Sequence, residues 1–335
     1  MRCVVMTQFK ALLVTETEGR FVKEIVMRHL DDLPDHEVLI QVHYSALNYK
    51  DALSASGHKG VSKKFPHTPG VDAAGVVVSD TTGRWRAGEQ VVVVGYDLGM
   101  NTSGGFAEYI CVPADWPIAL PEGLTLQESM VYGTAGAAAA YGLEKLIANG
   151  MKPEKGPVLV TGASGAVGSI AVALLAKLGY EVVAVTGKPS ARHRLTQLGA
   201  AHVINRDELS TENSRALLEQ RWAAAIDTVA GPTLVNILKS LKFNGSVAIC
   251  GMITGTQLNT TVFPFILRGI NILGIASADA SREDRERVFG KFSGTWKLND
   301  MAAMADASPL DDIPVHIDRM LAGRLDKRIV VDLSL

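Results

Sequence analysis

The stretch Val158-Leu159-Val160-Thr161-Gly162-Ala163-Ser164-Gly165-Ala166-Val167-Gly168 decides the fold. Its apolar start predicts a strand, its glycines predict a turn, and the apolar residues that follow predict a helix over 167–178. In such a unit Gly162 allows the tight turn, Gly165 lets the backbone approach a pyrophosphate, and Gly168 lets the helix pack closely on the sheet. The helix start then offers free N–H groups to phosphates. The spacing is GxxGxxG and not GxGxxG, so the strand–turn–helix context favours a dinucleotide site over an ordinary glycine turn.

Strands and helices alternate around this turn. Strands are predicted at 158–160, 181–185, 202–204, 224–227 and 246–250, and helices at 128–147, 167–178, 191–198 and 234–243. This order predicts an α/β fold with a doubly wound parallel sheet of the Rossmann type. The first third differs, because residues 38–44 alternate with period two and short β-branched runs follow at 71–78 and 90–94. That pattern predicts an antiparallel, barrel-like unit.

Length and composition narrow the class of protein. The chain has 335 residues, enough for about two domains, and a net charge of −2, which argues against binding of nucleic acid through bulk positive charge. The three cysteines, Cys3, Cys111 and Cys250, are far apart and predict neither disulfides nor a thiolate zinc site. The small-residue stretch 130–143 is too short for a membrane span. We therefore expect a soluble, cytoplasmic protein without a membrane partner.

The end of the second predicted strand discriminates between cofactors. It reads Thr186-Gly187-Lys188, and no acidic residue follows until Asp207. An NAD enzyme usually has an Asp or Glu there to bind the ribose hydroxyls, whereas a 2′-phosphate is attracted by Lys and Arg. The sequence therefore predicts NADPH. Arg192 and Arg194 either assist or belong to a solvated helix face.

From about Phe9 onward the chain resembles a medium-chain dehydrogenase/reductase, closest to the zinc-free YhdH/YhfP type of quinone oxidoreductase. The best-defined activity of that type is NADPH-dependent acryloyl-CoA reduction. The matching blocks are Leu47-Asn48-Tyr49-Lys50-Asp51-Ala52-Leu53, Pro69-Gly70-Val71-Asp72, residues 161–169, Ala225-Ile226-Asp227-Thr228-Val229 and Thr261-Val262-Phe263-Pro264-Phe265-Ile266-Leu267-Arg268.

The resemblance implies a GroES-like β-barrel catalytic domain into which a Rossmann domain is inserted. The expected bounds are 1–127 for the first catalytic part, 128–269 for the NADPH-binding domain and 270–335 for the returning segment, and a homodimer is expected. Zinc enzymes of the superfamily have Gly-His-Glu where this chain has Gly70-Val71-Asp72, so Val71 replaces the metal-binding imidazole. No metal site is predicted. His43, His58 and His67 are explained as surface or loop residues, because a tetrahedral site needs several convergent ligands.

Without a metal Lewis acid, the easier reduction is hydride addition to a C=C bond conjugated with a carbonyl group. Acyl-CoA thioesters and quinones or enones supply such bonds. The resemblance places Tyr49 beside the cofactor as the first catalytic candidate, followed by Asn48 and Asp51. Tyr49 as the proton donor is the weaker hypothesis, because phenols are weak acids at neutral pH. The alternatives are a packing role for Tyr49 and a helix cap for Asp51.

The predicted cofactor-binding residues combine the glycine turn with positions carried over from the family. They are Tyr49, Gly162, Ser164, Gly165, Ala166, Val167, Thr186, Gly187, Lys188, Arg206, Gly251, Met252, Ile266 and Ser277. The first reading of the function is an acryloyl-CoA reductase. A quinone or general enone reductase and a catalytically idle NADPH-binding protein remain alternatives.

Overall fold

The computed structural model describes residues 8–335, which form two compact units. The first comprises residues 8–134, Ala278–Lys297 and Ala305–Leu335, and the second comprises Ala135–Ser277 and Leu298–Met304. Cys3 lies outside the described residues. Among residues 8–335, none of the helices has the length and apolar character that crossing a bilayer requires.

The elements are numbered in chain order. The strands are β1 (Gln8–Thr17), β2 (Arg20–His29), β3 (Val38–Ala46), β4 (Asp72–Asp80), β5 (Gln90–Val94), β6 (Tyr109–Val112), β7 (Ile118–Ala119), β8 (Val158–Val160), β9 (Val182–Thr186), β10 (His202–Asn205), β11 (Trp222–Asp227), β12 (Leu241–Ile249), β13 (Asn271–Gly274), β14 (Ala305–Pro309) and β15 (Arg328–Asp332). The α-helices are α1 (Tyr49–Ala55), α2 (Leu126–Ala148), α3 (Ala166–Lys177), α4 (Ala191–Gln197), α5 (Asp207–Ser210), α6 (Gly231–Ser240), α7 (Phe263–Arg268), α8 (Arg282–Ser293) and α9 (Ile313–Leu321).

The first unit is largely antiparallel β-structure. Its larger sheet has the order β14-β15-β3-β4-β5-β7, with β6 also paired to β3, and β1 and β2 form a separate antiparallel pair. Only the β14–β15 pair of this larger sheet is parallel. The alternation seen in the sequence places Val38, Ile40 and Val42 in one apolar core, as a period-two strand with one buried face requires. The predicted barrel-like unit is confirmed.

The second unit contains a six-stranded parallel sheet with the order β10-β9-β8-β11-β12-β13. The chain runs outward from β8 in one direction and from β11 in the other, so the order reverses between these two strands. Ligands of doubly wound sheets bind at the carboxyl edge beside this reversal. The predicted Rossmann fold is confirmed. The glycine-rich turn after β8, residues 161–168 and here named the phosphate turn, lies at this carboxyl edge.

Two elements of this unit differ from the sequence-based expectation. The predicted helix over 234–243 ends at Ser240, and the chain becomes extended at the fully buried Leu241. Periodicity does not mark this change, since Leu241 continues an apolar pattern. The strand β13 pairs with β12 from Ser246 opposite Asn271, so the sheet extends past the predicted boundary at residue 269 and the unit extends to Ser277.

The helix α2 is interrupted. The sequence predicts one continuous helix over 128–147, but Gly133 has φ 48° and ψ −151°, which no α-helix contains. The cause lies in the side chains packed against it, which are described below.

Candidate active site

The phosphate turn has no room for side chains at two of its glycines. Gly162 has φ +55°, and a Cβ atom there would lie 2.2 Å from Thr228 Oγ1. A Cβ atom on Gly168 would lie 2.3 Å from the Gly162 carbonyl oxygen. The start of α3 therefore packs on the backbone of the turn itself. The sequence predicts that Gly168 packs on the sheet, and in the structure its nearest neighbour is instead the Gly162 carbonyl group.

The start of α3 presents free backbone donors to this turn. The first hydrogen bond of the helix runs from the Ser169 amide to the Gly165 carbonyl oxygen, at 2.9 Å. The N–H groups of Ala166 and Val167 precede it and have no partner within the helix. No acidic residue stands in the first turn. These donors and the positive end of the helix dipole fit the phosphates of a dinucleotide.

Polar side chains connect the turn to the end of β9. The Thr186 hydroxyl donates to Ser164 Oγ at 3.0 Å, and the Lys188 amide donates to Thr186 Oγ1 at 3.1 Å. From α4, the Arg194 guanidinium donates to the Ser164 carbonyl oxygen at 2.9 Å. Arg194 therefore supports the phosphate turn, a role that neither of the two sequence-based alternatives contained.

Two basic residues flank Gly187. A Cβ atom on Gly187 would lie 2.5 Å from Arg206 Nε, so the Arg206 side chain occupies the space above this glycine, and Lys188 follows it in the chain. The Arg206 side chain is 73% exposed, and its one ion pair within residues 8–335, with the exposed Asp207, spans 4.0 Å. The Arg206 guanidinium therefore lies in solvent at the end of β9, next to the position of Lys188 in the chain.

The end of β11 is tied to the end of β8 by a buried carboxylate. Asp227 is fully buried and accepts hydrogen bonds from Thr161 Oγ1 at 2.5 Å and from the Ala230 amide at 2.8 Å. Burial raises the pKa of Asp227 despite these bonds. The Thr228 hydroxyl donates back to the Thr161 carbonyl oxygen at 3.0 Å. In the sequence, Asp227 stands in one of the blocks that match the family, and in the structure it fixes the two strand ends.

The predicted cofactor residues that follow β12 in the chain differ in their contacts and exposure. Gly251 touches the end of β11, since a Cβ atom there would lie 2.0 Å from the Thr228 carbonyl oxygen. Met252 beside it is 68% exposed. Ser277 follows β13 at the same carboxyl edge. Ile266 lies on α7 and is 74% exposed.

In the first unit, the predicted catalytic residues surround the start of α1. Asp51 accepts hydrogen bonds from the Asn48 amide and the Val71 amide, each at 2.8 Å. The bond to Asn48 is part of a capping box, so the helix-cap interpretation of Asp51 is correct as far as it goes. Asp51 is fully buried, and burial together with the nearby Asp72 raises its pKa to about 7, although the amide bonds oppose this.

A buried ion pair lies beside this cap. Arg328, the first residue of β15, donates to Asp72 Oδ2 at 2.9 Å, and the exposed fractions of the two side chains are 1% and 0%. Asn48 bridges the pair, because its amide nitrogen donates to Asp72 at 2.8 Å and its amide oxygen accepts from Arg328 at 3.0 Å. Sequence reasoning missed Arg328. The only signal is a charged residue directly before the apolar run Ile329-Val330-Val331.

The ion pair is inserted into the helix α2. Arg328 Nε donates to the Met130 carbonyl oxygen at 3.0 Å, and Asp72 Oδ1 accepts from the Thr134 amide at 2.8 Å and from the Thr134 hydroxyl. A Cβ atom on Gly133 would lie 2.4 Å from Asp72 Oδ2 and 2.5 Å from an Arg328 nitrogen. Glycine at this position admits the pair, and the inserted side chains produce the kink.

The three predicted catalytic residues differ in exposure. Tyr49, the first residue of α1, is 44% exposed, whereas Asn48 is 8% exposed and Asp51 is fully buried. Tyr49 is thus the member of this group whose side chain a ligand can reach. Asn48 and Asp51 hold the start of α1 and the ion pair in place.

Two family models match the chain, namely the alcohol dehydrogenase GroES-like domain at residues 34–122 and a model described as zinc-binding dehydrogenase at residues 166–293. AcuI of Ruegeria pomeroyi, named an acrylyl-CoA reductase, is 40% identical over 328 residues, which cover 97% of this chain and 99% of AcuI. YhfP of Bacillus subtilis, which carries a quinone oxidoreductase name, is also 40% identical over 328 residues, covering 98% of this chain and 99% of YhfP. The chain belongs to the medium-chain dehydrogenase/reductase family.

Solved structures agree with this assignment. The crystal structure of the YhdH oxidoreductase from Salmonella enterica in complex with NADP is 38% identical, covers 98% of this chain and 100% of its own, and superimposes with a TM-score of 0.94. The structure of YhfP with NAD bound has the same TM-score and covers 98% and 100% of the two chains. The family resemblance seen in the sequence is confirmed.

The residues of this medium-chain dehydrogenase/reductase do not fit the zinc ion in the description of its second family model. Val71 has no donor atom, and both carboxylate oxygens of Asp72 accept hydrogen bonds from Arg328, Asn48 or Thr134. Within residues 8–335, no group of three or more His, Cys, Asp and Glu side chains is placed to hold a metal ion. The positive charge beside Asp72 is a guanidinium.

Proposed function

We propose that this oxidoreductase uses NADPH to reduce the activated C=C bond of a short-chain enoyl-CoA, converting acryloyl-CoA to propionyl-CoA. The cofactor supplies a hydride to the β-carbon, and a proton from solvent or a side chain reaches the α-carbon. The name and the near full-length identity of AcuI support this substrate class.

The basic pair at the end of β9 is the observation that carries the cofactor assignment. Lys188 and Arg206 flank Gly187, where an NAD-preferring site has a carboxylate. A 2′-phosphate there gains charge-assisted hydrogen bonds, and a bare ribose hydroxyl does not. The YhdH structure with NADP supports the assignment, and the YhfP structure with NAD makes a direct comparison of the two cofactors necessary.

The remaining cofactor contacts are proposed from their position at the carboxyl edge of the sheet. The turn residues Gly162 and Ser164 to Val167 are assigned to the pyrophosphate, and Thr186 and Gly187 are assigned to the adenosine ribose. Gly251, Met252, Ile266 and Ser277 are assigned to the nicotinamide side by family resemblance.

The Asp72–Arg328 pair supports a conjugated acceptor. A neutral ion pair whose charges are satisfied by each other cannot polarise an isolated ketone as a Lewis acid does. Hydride addition to a conjugated C=C bond instead spreads the negative charge into an enolate, which hydrogen-bond donors can stabilise. A thioester carbonyl conjugated with the double bond meets this need.

We assign Tyr49 to the cofactor or substrate and Asn48 and Asp51 to positioning. The exposed Tyr49 hydroxyl can hold the nicotinamide ribose, the carboxamide or the substrate carbonyl. Tyr49→Phe removes this oxygen and is expected to lower kcat/KM about tenfold or more, which corresponds to one lost hydrogen bond of about 1.4 kcal/mol. Tyr96→Phe, at a half-buried tyrosine whose ring stacks on Trp116, serves as the control. Unchanged kcat and KM for both NADPH and substrate in Tyr49→Phe would remove this assignment.

A substrate panel tests the function. NADPH oxidation is followed by absorbance with acryloyl-CoA, crotonyl-CoA and a water-soluble quinone, and the proposal expects the highest kcat/KM with acryloyl-CoA. A preference for the quinone would establish the second candidate, which the name of YhfP favours. Tight NADPH binding without turnover on any acceptor would establish an idle cofactor-binding protein.

We further propose a homodimer that forms through the edge of the six-stranded sheet. The strand β13 ends the sheet, and such an edge presents unpaired backbone groups. Beside it, Val262, Ile266 and Leu267 are 63%, 74% and 55% exposed, and grouped exposed apolar side chains mark association surfaces. Leu267→Glu is expected to yield monomers in light scattering, whereas Met27→Glu, at an exposed apolar residue elsewhere, leaves the dimer intact. A wild-type monomer would contradict the proposal.

A further inference from the structure

A second concave site lies at the amino edge of the six-stranded sheet. A cavity of about 440 Å³ opens between the end of α2 and the first residues of β11 and β12. In a parallel sheet this is the edge opposite to the one that carries the phosphate turn. Its volume lies within the range of about 300–1,000 Å³ that is typical of small-molecule sites, and no role described above uses it.

The charge of this cavity is positive. Lys155 and Lys242 line it, and no acidic residue does. Both ammonium groups lie close to glycines: a Cβ atom on Gly156 would lie 2.3 Å from Lys242 Nζ, and one on Gly150 would lie 3.5 Å from Lys155 Nζ. Lys242 also donates to the Lys155 carbonyl oxygen at 3.2 Å. In the described part of the chain neither lysine has a carboxylate partner.

The rest of the lining is partly apolar and rich in amides. Ala223 and Ala224 form a buried floor of small side chains. Phe243 lies at the rim with 67% of its surface exposed, although it belongs to a strand, and its backbone amide is fixed by a 3.0 Å bond to Gln220 Oε1. An exposed aromatic ring whose backbone is held by a hydrogen bond offers a stacking surface, and the amide side chains of Asn149 and Gln220 add polar groups.

From this combination we infer a binding site for a phosphorylated aromatic ligand of mononucleotide size. The two lysines bind the phosphate, since two uncompensated ammonium groups in one concavity attract a dianion. The ligand ring stacks on Phe243 above the alanine floor. The site is separate from the proposed reductase chemistry, so a ligand here is an effector or a carried compound and not the hydride donor.

A different explanation of the lysines is neutralisation of the carbonyl groups at the end of α2, which carry the negative end of the helix dipole. That role requires neither a cavity nor an exposed aromatic ring. The two explanations differ in whether Phe243 matters.

Calorimetric titration tests the inference. The full-length protein is first saturated with NADP⁺, so that the phosphate turn is blocked, and AMP is then added to roughly 10 mM, well above the Kd of about 1 mM of a weak site. Each of Lys155→Ala, Lys242→Ala and Phe243→Ser is expected to weaken AMP binding at least tenfold. Lys177→Ala, at an exposed lysine at the end of α3, is the matched control and leaves the affinity unchanged.

Inorganic phosphate provides a second arm. It is expected to bind more weakly than AMP and to respond to the two lysine variants but not to Phe243→Ser. No heat with AMP over the whole range, or equal affinity in all four variants, overturns the inference. The inference is also overturned if Phe243→Ser leaves the affinity for AMP unchanged and AMP binds no more tightly than phosphate, because the site is then not selective for an aromatic ligand. Far-ultraviolet circular dichroism confirms that each variant is folded.

Discussion

The carbonyl oxygen of Met130 and the amide of Thr134, which would bond to each other in an uninterrupted α-helix, are separated by an ion pair. Arg328 takes the carbonyl oxygen at 3.0 Å, and Asp72 takes the amide at 2.8 Å. One hydrogen bond of α2 is thus replaced by two charge-assisted bonds, and the charged pair fills the gap at Gly133.

Gly133 is therefore expected to tolerate no side chain. Gly133→Ala combines an unfavourable positive φ with a Cβ atom placed within 2.5 Å of both Asp72 and Arg328, and we expect the free energy of unfolding to fall by about 2–4 kcal/mol. Urea denaturation measures the change. Gly142→Ala in the same helix is the control, because its Cβ atom meets Ala248 at an ordinary 3.4 Å and helix propensity favours alanine by up to about 1 kcal/mol. Equal stabilities of the two variants would contradict this account of the kink.

Removal of one charge from the buried pair should destabilise the first unit strongly. Asp72→Asn leaves Arg328 buried without its anion, and the expected loss is about 3–5 kcal/mol. The exposed Arg84–Asp115 ion pair provides the comparison, since Asp115→Asn should be indistinguishable from the wild type. The double variant Asp72→Asn/Arg328→Gln should recover part of the loss, because no charge is then left without a partner. Additive losses in the double variant would show that the two side chains act independently.

The buried Asp51 predicts a pH dependence of stability. Its pKa is about 7 in the folded protein, mainly because of burial, against 3.8 for an exposed Asp. Between these values the folded chain binds a proton that the unfolded chain has released, so the free energy of unfolding decreases as pH rises from about 4 to 7, by at most about 1.4 kcal/mol per pH unit. Asp51→Asn has no proton to lose and should show a shallower slope over this interval, although it is less stable at every pH.

Urea denaturation at a series of pH values measures this slope. The exposed Asp31→Asn should reproduce the wild-type slope. A slope in Asp51→Asn equal to that of the wild type would show that Asp51 ionises in the folded protein as it does in water.

Lys188 is expected to set the choice of cofactor together with Arg206. Lys188→Glu places a carboxylate at the end of β9, which repels a 2′-phosphate and can accept hydrogen bonds from ribose hydroxyls. The ratio of kcat/KM for NADPH to that for NADH should fall at least tenfold, with most of the change in KM for NADPH. Lys177→Glu carries the same charge change at a distant exposed position. If both variants shift the ratio equally, the effect is one of net charge and not of a local phosphate contact.

Sequence patterns predicted the order of the second unit well because each of its strands and helices carries its own periodicity and end signals. The phosphate turn was readable for the same reason, since its glycines, its strand and its helix are contiguous. Leu241 shows the limit: an apolar residue after a helix continues either a helix or a strand, and only burial against the sheet decides between them.

The polar cluster of the first unit was readable only in part. Asn48 and Asp51 lie in one block and were found, but the partner of Asp72 is a single arginine at the start of a strand near the other end of the chain. No local pattern joins two residues that only tertiary folding brings together. The kink at Gly133 was missed for the same reason, since its cause is Arg328 and not the helix sequence.

The Asp72–Arg328 contact also has a consequence for biosynthesis. The two residues are 256 positions apart, and the whole second unit is translated between them. A nascent chain thus carries the Asp72 carboxylate for most of its synthesis before its counterion emerges from the ribosome. Closure of so long a loop is slow compared with local folding, so the nucleotide-binding unit is expected to mature first. Deletion of β15 is then expected to leave the second unit folded, whereas the first unit is expected to be cleaved readily by proteases.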